Sequence, residues 1–232
     1  MAESPLSYEL HGPVALVRID DGKANAITLA VIEEMHRILD RAKSEATALV
    51  LAGRPGRFSA GFDLGTFAKG PAAAGDLVRA GGRLALEIYG HPLPVVAACT
   101  GHAIAMGAIL LLASDVRIGA AGAFQIGLNE VAIGLTLPRF GVELARDRLS
   151  RRHLTSAVAL ARMFDPVSAC DAGYLDRLVA PERVVDEAVE EAARLATLKR
   201  PALGDTKRRL RAATIDLVSS TLDSDIRGLT GS

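Results

Sequence analysis

The sequence predicts an α/β protein whose strands return to one sheet, and three observations lead there. Two strand patterns, an amphipathic helix and a further apolar strand follow one another near the start of the chain. The order strand, strand, helix then recurs without any exact sequence repeat. From Val142 onward, helical periodicity takes over.

Residues 14–19 read as a strand closed by the turn Asp20-Asp21-Gly22, with residues 7–10 ahead of Gly12 as a hairpin partner. Thr28 has the position of an N-cap. Behind it Leu29, Ile32, Met35 and Leu39 share one helical face, while Glu33, Glu34, Arg37 and Asp40 fall elsewhere, so the helix runs to Lys43. Residues 48–52 form a short buried strand. Residues 54–64 are too rich in Gly and Pro for regular structure and too apolar at their end for a surface loop, which predicts an irregular segment with buried backbone.

Gly70, Gly75, Gly81 and Gly82 predict a weak helix until residues 83–89. Its first half is either a mobile segment beside a site or simply a loose helix start. Residues 95–99 read as a buried strand ending at Thr100-Gly101. Residues 105–113 are all apolar or Gly, so the helix they form is buried on every side. Its first-turn N–H groups lack intrahelical acceptors and need a developing oxyanion, backbone or water to receive them.

Residues 116–119 and 123–126 are short strands, and the Gly-bounded segment 127–134 carries one carboxylate, Glu130. Turned inward among Leu128, Val131 and Ile133 it becomes a base useful near neutral pH; turned outward it is a solvated or Arg-paired side chain. Helices follow at 142–149, 153–163 and 168–173, then a strand at 174–179. Pro181 opens a helix to Leu198 and Pro201 a final one to Leu222. The basic run Lys207, Arg208, Arg209 and Arg211 is either a solvated face or a contact for a phosphate-rich ligand.

Composition bounds the function. The chain has 232 residues, half of them hydrophobic, with 27 Lys+Arg balancing 27 Asp+Glu. That suits one large domain with a small appendage and excludes the broad positive footprint of a nucleic-acid binder. Cys99 and Cys170 show no ligand-like spacing to each other or to His, which predicts reduced structural thiols and no metal site. With neither a secretory leader pattern nor an apolar run of membrane-spanning length, a cytoplasmic location is expected.

Three segments together, Phe58-Ser-Ala-Gly-Phe-Asp-Leu64, Gly101-His-Ala-Ile-Ala-Met-Gly107 and Asn129-Glu-Val-Ala-Ile-Gly134 with Leu137-Pro138 behind it, resemble the crotonase superfamily of enoyl-CoA hydratases and isomerases. The likeness covers residues 14–179. It implies a crotonase-like spiral of ββα units with a helical C-terminal region: residues 1–185 as the core for acyl-CoA binding and catalysis, and residues 186–232 as an oligomerising region giving a homotrimer or hexamer. It also implies an acyl-CoA thioester substrate from fatty acid metabolism, with coenzyme A as part of that substrate and no separate cofactor, and neither nucleic acid nor membrane as a partner.

The resemblance assigns roles by position. The thioester oxygen would lie between the backbone N–H groups of Phe62 and Met106, an oxyanion hole of main-chain donors that tolerates these side chains. Lys23, Ala24, Asn25, Ala26 and Ala60 resemble segments that hold coenzyme A mainly through backbone, with Gly61, Asp63 and Gly107 beside them; Asp63 is also placed to cap the following turn. Hydratases of the family use two glutamates. The second matches Glu130, but the first falls at Ile109, which cannot move a proton, and the segment Ile126-Gly-Leu-Asn-Glu130 is similar to the single-glutamate Δ3,Δ2-enoyl-CoA isomerases. Glu130 as lone acid/base makes isomerisation the leading expectation. A hydratase assisted by another group, His102 being the nearest candidate unless it only packs, and a non-catalytic acyl-CoA-binding scaffold are the alternatives.

Overall fold

The computed structural model describes residues 4–230. β1 (Leu6–His11) and β2 (Val14–Ile19) form the expected antiparallel hairpin, in register from Leu6 opposite Ile19 to His11 opposite Val14. The chain then repeats a unit made of a strand in the main sheet, a short strand in a second layer, and a helix. β2, β3 (Ala26–Ile27) and α1 (Leu29–Glu45) are the first such unit. The second contains β4 (Ala48–Ala52), β5 (Gly56–Ser59), β6 (Gly61–Phe62), α2 (Leu64–Phe67) and α3 (Pro71–Gly90). The third is β7 (Val95–Cys99), β8 (Gly101–Ile104) and α4 (Met106–Ala113), and the fourth β9 (Val116–Ala120), β10 (Ile126–Gly127) and α5 (Arg139–Arg148). After α6 (Arg151–Val158) and α7 (Pro166–Ala172), β11 (Arg177–Val179) closes the main sheet before α8 (Val184–Leu195) and α9 (Arg200–Thr230).

The main sheet has the order β1-β2-β4-β7-β9-β11, parallel beyond the first hairpin. β4 and β7 are buried along their whole length, as parallel strands covered on both faces must be. One face packs against α1, α3 and α4; the other, through Val14, Leu16, Val50 and Val96, packs against Val184, Ala188 and Ala192 of α8. The 185/186 boundary expected from the resemblance therefore falls in the first turn of a helix that covers the core sheet. α1 starts as expected, with Thr28 Oγ1 accepting the Val31 N–H at 3.2 Å, but Leu29 is exposed and the buried face begins at Val31. Cys99 and Cys170 are both free, and burial pushes the Cys99 thiol up to about 12.

Several expectations are corrected. Residues 54–64 hold β5 and β6 and the first residue of α2: β5 finds its hydrogen bonds on β8 and β6 on β3. α3 is unbroken from Pro71 at its first turn, with Gly81 buried against the Phe62 ring and Gly82 against Phe140 and Leu222, so these glycines serve close packing and not a loose start. The strands at 123–126 and 174–179 shrink to β10 and β11, α6 stops at Val158, and the last helix continues past Leu222 to Thr230.

The basic run divides. Arg208 and Arg209 are exposed, but Lys207 and Arg211 are buried. Lys207 Nζ lies 2.6 Å from Asp115 Oδ2 and 3.1 Å from the Leu93 carbonyl, and Arg211 Nη2 lies 2.9 Å from Asp115 Oδ1. Neither a solvated face nor a phosphate contact describes them: they pin α9 to the loops flanking β7 and β9. Burial holds the Lys207 ammonium down to about 8 in spite of its carboxylate partner. Lys207→Met, which leaves the Leu93 carbonyl unpaired, is expected to cost about 2 kcal/mol, a fall of about 6 °C in thermal midpoint by circular dichroism.

Candidate active site

The second and third units bring two backbone segments together. Ser59 is buried; its Oγ donates to the Asn25 carbonyl at 2.7 Å and accepts the Gly61 N–H at 3.1 Å. Asn25 is also buried, at φ +54°, and its amide donates to the carbonyls of Ile19, Phe58 and Arg57 at 2.8, 3.2 and 3.3 Å. The Asp63 N–H donates to the Ile27 carbonyl at 3.1 Å. Successive N–H groups of extended backbone point opposite ways, so the Phe62 N–H turns away from β3. Gly61 takes φ +94°, and a Cβ there would lie 2.9 Å from both Ala105 Cβ and the Ile104 carbonyl and 3.3 Å from the Met106 nitrogen. Only a residue without a side chain permits that approach.

On the facing side, Ala105 caps α4 at φ +52°, a conformation costly for alanine, and donates its N–H to the Gly127 carbonyl at 2.9 Å. Met106 is the first helical residue, so its N–H has no intrahelical acceptor, and the helix dipole adds partial positive charge at this end. Phe62 on β6 and Ala105 at the cap of α4 thus border the same space.

That space is a cavity of about 550 Å³ walled by α2, α3, α4, α5, residues 129–138 and the end of α9. Its lining is mostly apolar, and Glu130 is the sole ionisable side chain in it among the described residues. Glu130 is 9% exposed, and its Oε2 is buried with no hydrogen-bond partner among those residues. Burial pushes its carboxyl up to about 7, against the lowering effect of its own backbone N–H. The side chain is turned inward, which disposes of the solvated and Arg-paired readings. Ile109 also lines the cavity, so the position of a second carboxylate is apolar wall.

The remaining sequence candidates sort by position. Ala60 and Phe62 line the cavity with Glu130; Gly61, Met106 and Gly107 lie behind it. Gly107 backs directly onto the Ser59 carbonyl, and the Met106 side chain is buried against α3 near Gly81. Lys23, Ala24, Asn25 and Ala26 are set back from the cavity, with backbone groups already engaged: the Lys23 carbonyl accepts Arg54 Nε at 3.0 Å, the Ala24 carbonyl accepts the Ala60 N–H at 3.0 Å, and the Ala26 N–H donates to Asp21 Oδ2 at 3.1 Å. Asp63 caps α2, its Oδ2 accepting the Thr66 N–H at 2.9 Å and the Thr66 hydroxyl at 2.7 Å, bonds that hold its carboxyl below the ordinary range.

His102 takes the packing reading. Its Nδ1 accepts the Gln125 N–H at 3.1 Å, its ring meets Phe124 edge to face at 5.5 Å, and it does not line the cavity. Residues that the sequence reading missed include Phe140, Ile226 and Leu229. The signal for the last two was present, because Val218, Leu222, Ile226 and Leu229 continue one helical stripe beyond the expected end of α9. No helix among the described residues is long and apolar enough to cross a membrane.

Comparison with known proteins gives this geometry a family. Residues 9–229 match the Enoyl-CoA hydratase/isomerase family profile. The crystal structure of an enoyl-CoA hydratase/isomerase family protein from Pseudomonas syringae superposes with a TM-score of 0.95 at 40% identity, covering 97% of this chain and 98% of that one. Human mitochondrial enoyl-CoA delta isomerase 1 is 27% identical over 92% of this chain and 72% of its own length. Carnitinyl-CoA dehydratase of Citrobacter koseri is 30% identical over 92% of this chain and 82% of its own. With the ββα spiral and the one carboxylate that lines the cavity among the described residues, these matches make the chain a member of the enoyl-CoA hydratase/isomerase family in the crotonase superfamily, an acyl-CoA-processing enzyme of isomerase or lyase type.

Proposed function

We propose that this enzyme moves the double bond of a 3-enoyl-CoA thioester to the 2 position, with Glu130 as its one acid/base group. The carboxylate takes a proton from C2, the electrons pass to the thioester oxygen, and the Phe62 and Met106 N–H groups hold the resulting enolate. The Glu130 carboxylic acid then delivers the same proton to C4, and the enolate collapses to the 2-enoyl product. One group suffices because the enolate waits between the two transfers. The observation that carries this reading is the cavity lining: one ionisable side chain, poised near neutral pH, facing an apolar wall at Ile109.

Coenzyme A in this reading is part of the substrate, and no resident cofactor or metal is required. Ala60 and Gly61 meet the thioester arm, and Gly107 sets the depth of the hole. Lys23, Ala24, Asn25, Ala26 and Asp63 act by holding β6 in place, with coenzyme A passing over their backbone. A homotrimer or hexamer built through the C-terminal region, in the cytoplasm, completes the proposal. The identity to carnitinyl-CoA dehydratase favours hydration of a 2-enoyl-CoA as the second reading.

Parallel assays of 3-enoyl-CoA and trans-2-enoyl-CoA, with products identified by mass and chromatography, separate the cases. Conversion of the first to 2-enoyl-CoA is the expected result. Hydration of the second at a comparable rate overturns it, and binding without turnover of either indicates a scaffold.

A further inference from the structure

A second buried polar side chain stands behind Glu130 and has no part in the chemistry above. Gly173 ends α7 in the left-handed conformation, and the next residue, Tyr174, is fully buried with its N–H on the Ala169 carbonyl at 2.9 Å. Its ring packs on Phe164 at 5.6 Å between centroids. Phe164 in turn exchanges both backbone hydrogen bonds with Ile126, at 2.9 Å each. The phenol is thereby seated against the backbone that leads through Leu128 to Glu130.

The polar bookkeeping there is incomplete in a complementary way. The Tyr174 hydroxyl has no hydrogen-bond partner among the described residues, and neither has Glu130 Oε2. The Leu128 backbone acts on the phenol as a donor, lowering its pKa, so it offers no acceptor for the hydroxyl hydrogen. A buried donor without an acceptor and a buried acceptor without a donor are each rarely left unpaired. Their proximity shows electrostatically: after burial, the Glu130 charge is the next cause driving the phenol upward. Among the described residues, no other ionisable side chain lines the cavity that the carboxylate faces. Leu64 of α2, Val78 of α3, Ile109 of α4, Phe140 of α5 and Leu229 of α9 present only hydrocarbon to the cavity.

We infer that Tyr174 is a positioning residue for Glu130, its hydroxyl donating to the carboxylate, directly or through one water, whenever that carboxylate is ionised. The inference rests on the reading of Glu130 as the base and adds the group that sets its aim. A donor to the charged form favours that form, so Tyr174 opposes the effect of burial and keeps a usable fraction of base at neutral pH. Removing the hydroxyl while keeping the volume moves the ionisation of Glu130 upward.

The test compares the wild-type protein with Tyr174→Phe and Tyr174→Met. The first readout is an NMR titration of the Glu130 side-chain carboxyl in protein carrying ¹³C-labelled glutamate, with its signal assigned by its loss in Glu130→Gln. Both variants are expected to shift that titration upward by on the order of one pH unit. The acid limb of kcat/KM moves with it, giving about a tenfold loss at pH 6 that recovers at high pH. A titration unmoved in both variants overturns the inference even if isomerase activity is confirmed. A shifted titration in a protein that turns over neither enoyl thioester upholds the coupling and sinks the isomerase reading instead. Failure of both variants to fold assigns Tyr174 to packing and likewise overturns the inference.

Discussion

Glu130→Gln is expected to abolish the double-bond shift, lowering kcat by about 10³-fold or more while leaving thioester binding within about threefold. Glutamine keeps the shape of glutamate but carries no exchangeable acid, and among the described residues no second ionisable group lines this cavity to replace it. General acid–base groups usually contribute 10²- to 10⁴-fold, and here one group performs both transfers, so the upper part of that range applies. The fold is expected to tolerate the change: a buried carboxyl without a partner is a cost to stability, and the amide removes the charge. Steady-state kinetics on 3-enoyl-CoA and calorimetric binding of a saturated acyl-CoA check the two halves separately. Activity within tenfold of wild type would remove Glu130 from the chemistry.

The wild-type pH profile follows with a definite sign. The base must be ionised to take the C2 proton, and its carboxyl sits at about 7. The rate constant kcat/KM is therefore expected to rise about tenfold per pH unit below that value and to level off above it.

Gly61→Ala is expected to lower kcat/KM by about 10²- to 10³-fold, the usual consequence of losing one main-chain oxyanion donor. The added methyl would press on Ala105 Cβ and the Ile104 carbonyl at 2.9 Å, forcing β6 and the start of α4 apart and separating the Phe62 and Met106 amides. Gly12→Ala is the control. It sits at φ +60° with open space around its missing Cβ, so it imposes backbone strain without touching the site. A drop in melting temperature in both variants with a rate loss only in Gly61→Ala is the expected pattern. Equal kcat/KM in the two would dissociate the close approach of β6 and α4 from catalysis.

Much of this molecule was legible before its coordinates. The hairpin, α1, β4, β7 and the all-apolar α4 were visible because each carries its own periodicity or capping residue, and these local signals agree with the fold that uses them. The site was legible in part. Glu130 stood out as a lone carboxylate among apolar neighbours, and Ile109 as a residue that cannot move a proton. β5 and β6 were not visible, since their hydrogen bonds come from strands 30 or more residues away, as in the Arg57–His102 pairing. Lys207 and Arg211 were misread for the same reason: charge in sequence says nothing of a partner such as Asp115, 92 residues from Lys207.

By itself, then, the order of residues determined the alternation of strands and helices and singled out Glu130 as the candidate acid/base carboxylate, because both depend on neighbours within a few positions. Only the tertiary structure decided that Glu130 points inward, that Phe62 and Ala105 meet at one cavity, and that Tyr174 is fully buried with its hydroxyl unpaired among the described residues. The physical reason is that desolvation, close backbone approach and the pairing of buried polar groups are properties of what surrounds a residue in space. In a parallel spiral those surroundings come from units far apart along the chain.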